Sequence, residues 1–530
     1  MRISLNDFLS AMSEALDAVE YEFYGARKYH ARRVAMLTVG MLEELWWSQV
    51  PGGSLVKNGL KARGTMAARI GGAIARAKEA GLLPDDDDET PQGERPEPQG
   101  ERPERGERLK PDASVFVGLF EEADMPHLVD LRELIKPEGT CLSGEAWADI
   151  DAHSLLALFG AAALHDSGLS KYYRELGKQK PNSLAAEPAE FLRSHCEEGE
   201  RIISIAPFYD EAGPVYHAVL YHHENADGSG PFGLTATETP LFARLIHLAD
   251  TLDVRFSFDD MTPEKYLKVI EFVRKQTGRL FDEEVADAFL CAFPLPRLAS
   301  LAGDQLMPQL KAVLPDVFVD YGVGQLSELG GVFAQITDYK STFTSKHSQG
   351  VATRAYQLAK YEMDRKETYG KIYEGMGEDL CDDLCGRIYL AGALHDIGKL
   401  FVPTDILEKP GRLTPEEFEK MKDHAQKSWK VIGDIRGMGK IQHWAALHHE
   451  KLDGAGYPKG LTGDQLDHVD RMMAIADIYQ ALTEYRPYRT ANTHEEAIEM
   501  MRKMAALGKI DAELVEEAAV CYADGDAEAE

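Results

Sequence analysis

The chain has 530 residues, too many for one ordinary hydrophobic core, so two or three domains are expected. Its 44% apolar and 28% charged residues are those of a globular protein, and a net charge of −31 leaves no electrostatic footprint for a nucleic-acid polymer or an anionic membrane. A small phosphorylated ligand is still allowed, because bound divalent metals reverse the local charge it meets.

Residues 1–50 place apolar side chains at helical period: Phe8, Met12, Leu16 and Val19, then Met36, Val39 and Leu42, closing on Trp46 and Trp47. His30 lies among them and, taken alone, reads as a surface or packing histidine. From Pro84 to Asp112 an acidic run gives way to a Pro-Gly-charge repeat with almost no apolar residue, which predicts a disordered loop or linker. Helical patterning resumes over 113–260 and carries Ala-Leu-His165-Asp166-Ser-Gly-Leu169, His195, His222-His223-Glu224 and Asp250. An amphipathic helix pair is expected from Thr262 to Phe289. Residues 293–340 read as a connector ending in a helix from Leu329 to Tyr339.

The second half opens on His347 and continues through His395-Asp396-Ile-Gly-Lys399, His424 and His448-His449-Glu450 to Asp477. Six cysteines are scattered through the chain, as in a reducing compartment. Cys381 and Cys385 lie one helical turn apart, but no second pair completes a zinc site. The N-terminus lacks the apolar run of a signal peptide, and no segment of ~20 apolar residues occurs. A cytoplasmic protein with no membrane partner is expected.

The two halves are a repeat. His165 and His395 are 230 apart, His195 and His424 229, His222 and His448 226, and Asp250 and Asp477 227. Only His30 and His347 break register, at 317, so the first copy carries an insertion of 87 residues that contains the disordered stretch. The expected organisation is a first domain over 1–292 with an insertion around 53–140, a helical connector over 293–327, a second domain over 328–520 and an acidic tail over 521–530. Six ligand positions repeated in one order, in apolar helical settings, point to a metal centre in each copy.

His395 and Asp396 stand near the end of an apolar helix, with Lys399 expected on the same helix face. Imidazoles and carboxylates without thiolate suit Fe or Mn, with Ni or Zn as alternatives, better than Ca or Mg. Two such ions roughly 3.5–4 Å apart hold a bridging hydroxide and polarise a phosphoryl group. Lys399 would offset charge on a phosphate oxygen.

On these residues the second half resembles an HD-GYP domain, the HD-superfamily branch that hydrolyses cyclic di-GMP. The matching stretches are His347-Ser-Gln-Gly-Val-Ala, His395-Asp396-Ile-Gly-Lys399, Lys409-Pro-Gly-Arg-Leu-Thr, His424, His448-His449-Glu-Lys-Leu-Asp453-Gly-Ala-Gly456-Tyr457-Pro458, Asp477 and Arg486-Pro-Tyr-Arg489. The resemblance implies an all-α fold of two HD-superfamily helical bundles in tandem, with no substantial sheet. It implies one metal on His347, His395, Asp396 and Asp477, and another on Asp396, His424, His448 and His449. Phe343 stands where some members place a third-metal glutamate, so two ions per intact site are expected. Asp396 and Lys399 are implied in catalysis. Lys399, Asp453, Gly456, Tyr457, Pro458, Arg486 and Arg489 are implied in holding substrate.

The first half resembles the same domain with damage. Its ligands persist as His30, His165, Asp166, His195, His222, His223 and Asp250, but Leu169 replaces the lysine and Gly-Pro-Phe-Gly over 230–233 replaces the Gly-Tyr-Pro loop. That copy is expected to bind metal with low or altered activity. The implied function is a metal-dependent phosphodiesterase, first for cyclic di-GMP, giving the linear dinucleotide pGpG, with GMP left open as a further product. The alternatives are 3',3'-cGAMP or another phosphoester as substrate, or a non-catalytic metal or nucleotide sensor. A homodimer is compatible with all of these.

Overall fold

Leu5–Tyr24 and His30–Gln49 realise the apolar period of the first fifty residues as two helices, α1 and α2, with His30 the first residue of the second. The computed structural model describes residues 1–24, 29–49, 152–169, 189–209, 215–303, 306, 309–310, 317–340, 346–365, 378–409, 411–484 and 490–523. The expected disorder over 84–112, the rest of the insertion over 53–140, Arg486 and Arg489 lie outside these residues, as does most of the acidic tail.

The first half continues with α3 (Ala152–Ala163), α4 (Ala189–Ile203), α5 (Leu241–Phe256), α6 (Pro263–Gln276) and α7 (Glu283–Ala292). A short α8 (Leu295–Ala299) leads to α9 (Val323–Tyr339), which starts six residues earlier than its apolar pattern suggested. The second half has α10 (His347–Asp364), α11 (Glu378–Leu394), α12 (Thr404–Leu407), α13 (Pro415–Gly433) and α14 (Lys440–Ala446). It ends with α15 (His468–Thr483), α16 (His494–Ala506) and α17 (Ala512–Cys521). The fold is all-α, as expected. Among the described residues the one sheet is a two-stranded antiparallel pair, Arg2–Ser4 against Phe318–Asp320. No helix among them is long and apolar enough to cross a membrane.

Local sequence explains the helix that matters most to the site. Thr414 accepts from the Glu417 amide at 3.3 Å, and the Glu417 carboxylate accepts from the Thr414 amide at 2.7 Å. This capping box, with Pro415 at the first position, starts α13 and fixes which turn carries His424.

One apolar core runs through both halves. The leading helix of each half reaches into the other. Helix α1 packs on α2 and α3, but also on α13 and the 3₁₀ turn Ile397–Phe401 of the second half. Reciprocally, α9 packs on α4, where Arg201 donates to Gln335 at 2.7 Å. Phe8 meets Phe333 edge to face, with ring centroids 4.9 Å apart. The Ser4 amide donates to the Arg436 carbonyl at 3.0 Å, and the Arg436 guanidinium donates to buried Asp7. Truncating Arg436 removes that guanidinium from the buried carboxylate. Because the arginine itself is half exposed, Arg436→Ala is expected to destabilise the protein by about 1–2 kcal/mol. Thermal denaturation monitored by circular dichroism reads this, and an unchanged midpoint would contradict it.

Candidate metal centres

In the second half five chain segments bring the sequence-selected residues to one point. His347 opens α10, His395 and Asp396 follow α11, His424 lies in α13, His448 and His449 follow α14, and Asp477 lies in α15. His347, His395, Asp396, His424 and His448 are all buried to 2% exposure or less.

The geometry sorts these side chains into two groups around one carboxylate. Asp396 Oδ2 is 3.0 Å from His395 Nε2 and 3.8 Å from His347 Nε2. Its other oxygen, Oδ1, is 3.4 Å from His424 Nε2 and 3.9 Å from His448 Nε2. Asp477 spans the same gap, with Oδ1 3.2 Å from His347 Nε2 and Oδ2 3.8 Å from His449 Nδ1. The donor atoms of His347, His395 and Asp477 lie within 4.8 Å of one another, as do those of His424, His448 and His449.

The imidazoles are held as ligands before any ion arrives. Nδ1 of His395, His424 and His448 lies 2.7, 2.5 and 2.6 Å from the carbonyl three residues earlier. A carbonyl only accepts, so Nδ1 carries the proton and Nε2 presents a lone pair inward. Those three Nε2 atoms, and Asp396 Oδ1, are buried without a hydrogen-bond partner. Burying them bare costs about 1–3 kcal/mol each, so the site calls for a cation.

Charge leads to the same reading. Burial raises the Asp396 carboxyl, but His395 and Lys399 outweigh it and hold it well below the usual range. Burial likewise raises Asp477, and His347 and His449 more than reverse it. Burial also lowers His347, yet Asp477 and Glu484 push it up to about 9. Burial above all pushes His448 down to about 3. His449 falls well below its usual value by burial and then by His448, which leaves neutral imidazoles facing the second group.

The first half repeats the arrangement. Asp166 Oδ2 lies 3.6 Å from His165 Nε2 and 4.0 Å from His30 Nε2, while Oδ1 lies 3.7 Å from His195 Nε2 and 3.8 Å from His222 Nε2. Asp250 stands 3.3 Å from His30 and 4.0 Å from His223. His30, which looked bland on its own, is therefore part of the cluster and almost wholly buried. Burial lowers His165, but Asp166 and Asp250 push it up to about 9, as at His347.

One expectation is corrected. His395, Asp396 and Lys399 do not share an α-helical face, because α11 ends at Leu394 and a 3₁₀ turn follows. The reason is Gly398. Any Cβ there would overlap the His424 carbonyl and lie 2.7 Å from the Ser428 amide nitrogen, so the turn is pressed directly on the backbone of α13. Lys399 still reaches Asp396 across that turn. In the first copy buried Leu169 stands in its place.

The Gly-Tyr-Pro loop adjoins the second histidine group. The Tyr457 ring lies 4.7 Å from the His449 ring, and Asp453 caps its own loop by accepting from the Ala455 amide at 2.9 Å. Gly456 passes so close to Glu450 that a Cβ would stand 2.5 Å from its Cα.

Several supporting residues escaped the sequence reading. Buried Glu450 accepts from the amides of Lys459, Gly460 and Leu461 at 2.6–3.1 Å and shapes the loop. Glu224 does the same for Phe232 and Leu234 in the first copy. The shared His-His-Glu was the visible signal. Asp338 accepts from the Ser348 amide at 3.0 Å and holds the start of α10. His347 Nδ1 is steered by Glu484 at 3.2 Å, and His30 Nδ1 by Asp253 at 2.7 Å.

The HD domain family model matches residues 126–285 and 359–514. The chain belongs to the HD domain family and carries the domain twice in tandem. Both matched regions begin after the first histidine of their set, His30 or His347. A 3'3'-cGAMP-specific phosphodiesterase of Vibrio cholerae is 29% identical over 387 residues, covering 71% of this chain and 83% of that protein. A cyclic di-GMP phosphodiesterase of Pseudomonas aeruginosa is 43% identical over 124 residues, covering 23% of this chain and 30% of that protein. The crystal structure of a cyclic GMP-AMP specific phosphodiesterase from V. cholerae aligns over 98% of both chains, with a TM-score of 0.50 and 18% identity. That likeness is one of fold.

Proposed function

We propose that this chain is a metal-dependent phosphodiesterase of HD-GYP type that opens a cyclic dinucleotide at the second centre. The observation that carries the reading is Asp396, whose two oxygens face two separate histidine groups while Lys399 lies against the same carboxylate. A single bridging carboxylate between two donor sets is what a two-metal hydrolase needs. We assign His347, His395, Asp396 and Asp477 to one ion, and Asp396, His424, His448 and His449 to the other. The donor set fits Fe or Mn, with Ni or Zn as alternatives. When bound, the ions supply a hydroxide at neutral pH and polarise the phosphoryl oxygens. Lys399 then offsets charge that develops on the phosphate, and Tyr457 forms the wall of the pocket beside His449.

The substrate read first from the sequence was cyclic di-GMP. We now place 3',3'-cGAMP ahead of it, because the similarity to a cGAMP-specific relative spans 71% of this chain, whereas the cyclic di-GMP enzyme of P. aeruginosa is matched over only 23%. The first copy, with Leu169 for lysine and Pro231-Phe232 in its loop, is assigned a regulatory or weakly active role.

Turnover of both dinucleotides by one metal-loaded preparation tests this. Faster cleavage of 3',3'-cGAMP is expected; faster cleavage of cyclic di-GMP restores the first reading, and cleavage of neither removes the enzyme. Lys399→Leu, which copies the first half, is expected to lower kcat by about 10²–10³ with metal content unchanged. A full-rate Lys399→Leu enzyme would remove the lysine from the mechanism.

A further inference from the structure

The two centres differ in one donor. His195 in α4 is followed by Cys196, which is fully buried, whereas the position 229 residues on holds buried Ala425 beside His424. Cys196 Sγ lies 3.6 Å from His222 Nδ1 and 3.8 Å from His195 Nε2. The donor atoms of His195, Cys196, His222 and His223 all lie within 4.8 Å of one another. With bonds of about 2.0–2.1 Å to nitrogen and about 2.3 Å to sulfur, donors on a tetrahedral ion stand about 3.3–3.6 Å apart. Measured from His195 Nε2, the spacings to Cys196 Sγ, His222 Nε2 and His223 Nε2 are 3.8, 3.4 and 3.1 Å, close to that range.

The histidines give an independent reason to expect an ion. His195 Nδ1 lies 3.3 Å from the Phe191 carbonyl and His222 Nδ1 2.6 Å from the Val219 carbonyl, so both carry their proton there. Their Nε2 atoms then present lone pairs to each other across 3.4 Å, and His223 Nε2 adds a third nitrogen 3.1 Å from His195. Two buried lone pairs facing each other repel, and a cation between them turns that repulsion into attraction.

We propose that Cys196 closes this half of the first centre as a three-histidine, one-cysteine site for a thiophilic divalent cation, zinc foremost, whose binding releases the thiol proton to solvent. Four protein donors leave no open position, which is the mark of a structural ion and not of one that activates water. The thiolate also selects a softer metal than the all-nitrogen and oxygen centre of the second half. The competing donor is Asp166, whose Oδ1 stands 3.7 Å from His195 Nε2. In this arrangement Asp166 serves the ion on the His30 and His165 side. The two halves would thus hold different metals.

The test is cobalt substitution of the full-length protein, which does not depend on turnover of any nucleotide. A thiolate-to-cobalt charge-transfer band in the near ultraviolet is expected in the wild type and in Asp396→Ala. It is expected to be lost in Cys196→Ala and Cys196→Ser, with the visible cobalt absorption of the other sites and the helical circular dichroism retained. Alanine suits the packing, since Ala425 fills the matching place. A band absent from fully loaded wild type, or present in both cysteine variants, overturns the proposal. Should both variants fail to fold, zinc-edge X-ray absorption of the wild type decides: a sulfur at about 2.3 Å supports the site, and nitrogen and oxygen alone overturn it.

Discussion

Asp396→Ala is expected to abolish cyclic dinucleotide turnover, by about 10³-fold or more, while Asp166→Ala leaves it within about threefold. The asymmetry follows from where the two carboxylates stand. The oxygens of Asp396 reach both histidine groups, as those of Asp477 do, and Asp396 also receives Lys399. Removing it takes the shared donor from both ions and leaves the lysine charge without its carboxylate, so metal content should fall with activity. Asp166 bridges its own histidines at similar distances, but Leu169 supplies no cation beside it. Its loss should therefore reduce bound metal without stopping catalysis at the other centre. Metal analysis beside turnover separates the cases. A dead Asp166→Ala enzyme with an active Asp396→Ala enzyme would move the active centre to the first half. Two active variants would remove Asp396 from the mechanism and with it the assignment of catalysis to the second centre alone.

The ligands were legible because they repeat. Offsets of 230, 229, 226 and 227 tied two sets together, and the shared order rescued even His30, which means nothing alone. The residues that orient those ligands were not legible, for a geometric reason. Asp253 steers His30 from one turn beyond Asp250, yet its image 227 residues on is Gln480, and Glu484 does the same work from a further turn away. A carboxylate one helical turn along reaches the same imidazole, so the support drifts in register while the ligands cannot. The path of the chain at His395 was misread for a related reason. Apolar period favoured a continued helix, and only the pressure of α13 on Gly398 shows why the turn tightens. The exchange of leading helices between halves had no sequence signal at all, since α1 looks like any amphipathic helix until Asp7 is seen beneath Arg436.

Gly398→Ala is expected to destabilise the protein by about 2–4 kcal/mol and to lower turnover at least about 10²-fold. The added methyl meets backbone, not a side chain that can rotate away: the His424 carbonyl oxygen, and the Ser428 nitrogen at 2.7 Å. Relief requires the turn and α13 to part by more than about 1 Å in a close-packed core. Both partners are pinned. Ser428 Oγ accepts from the Gly398 amide at 2.9 Å and donates to the His395 carbonyl at 2.8 Å, while α1 packs on the same turn from the other half. A metal centre tolerates only about 0.2 Å in its ligand distances, and parting the turn from α13 separates Asp396 from His424. Gly168→Ala makes the same intrusion in the first copy, against the His195 carbonyl and the Gly199 nitrogen at 2.7 Å. It should cost similar stability but little activity. Gly331→Ala is the control, because a Cβ there meets nothing within 4 Å in the middle of α9, and a gain of about 0.5–1 kcal/mol is expected. Melting temperature and turnover measured on the three variants decide the matter. If Gly398→Ala melts and turns over like the control, the tight seat of the His395-Asp396 turn on α13 is not what holds the centre together.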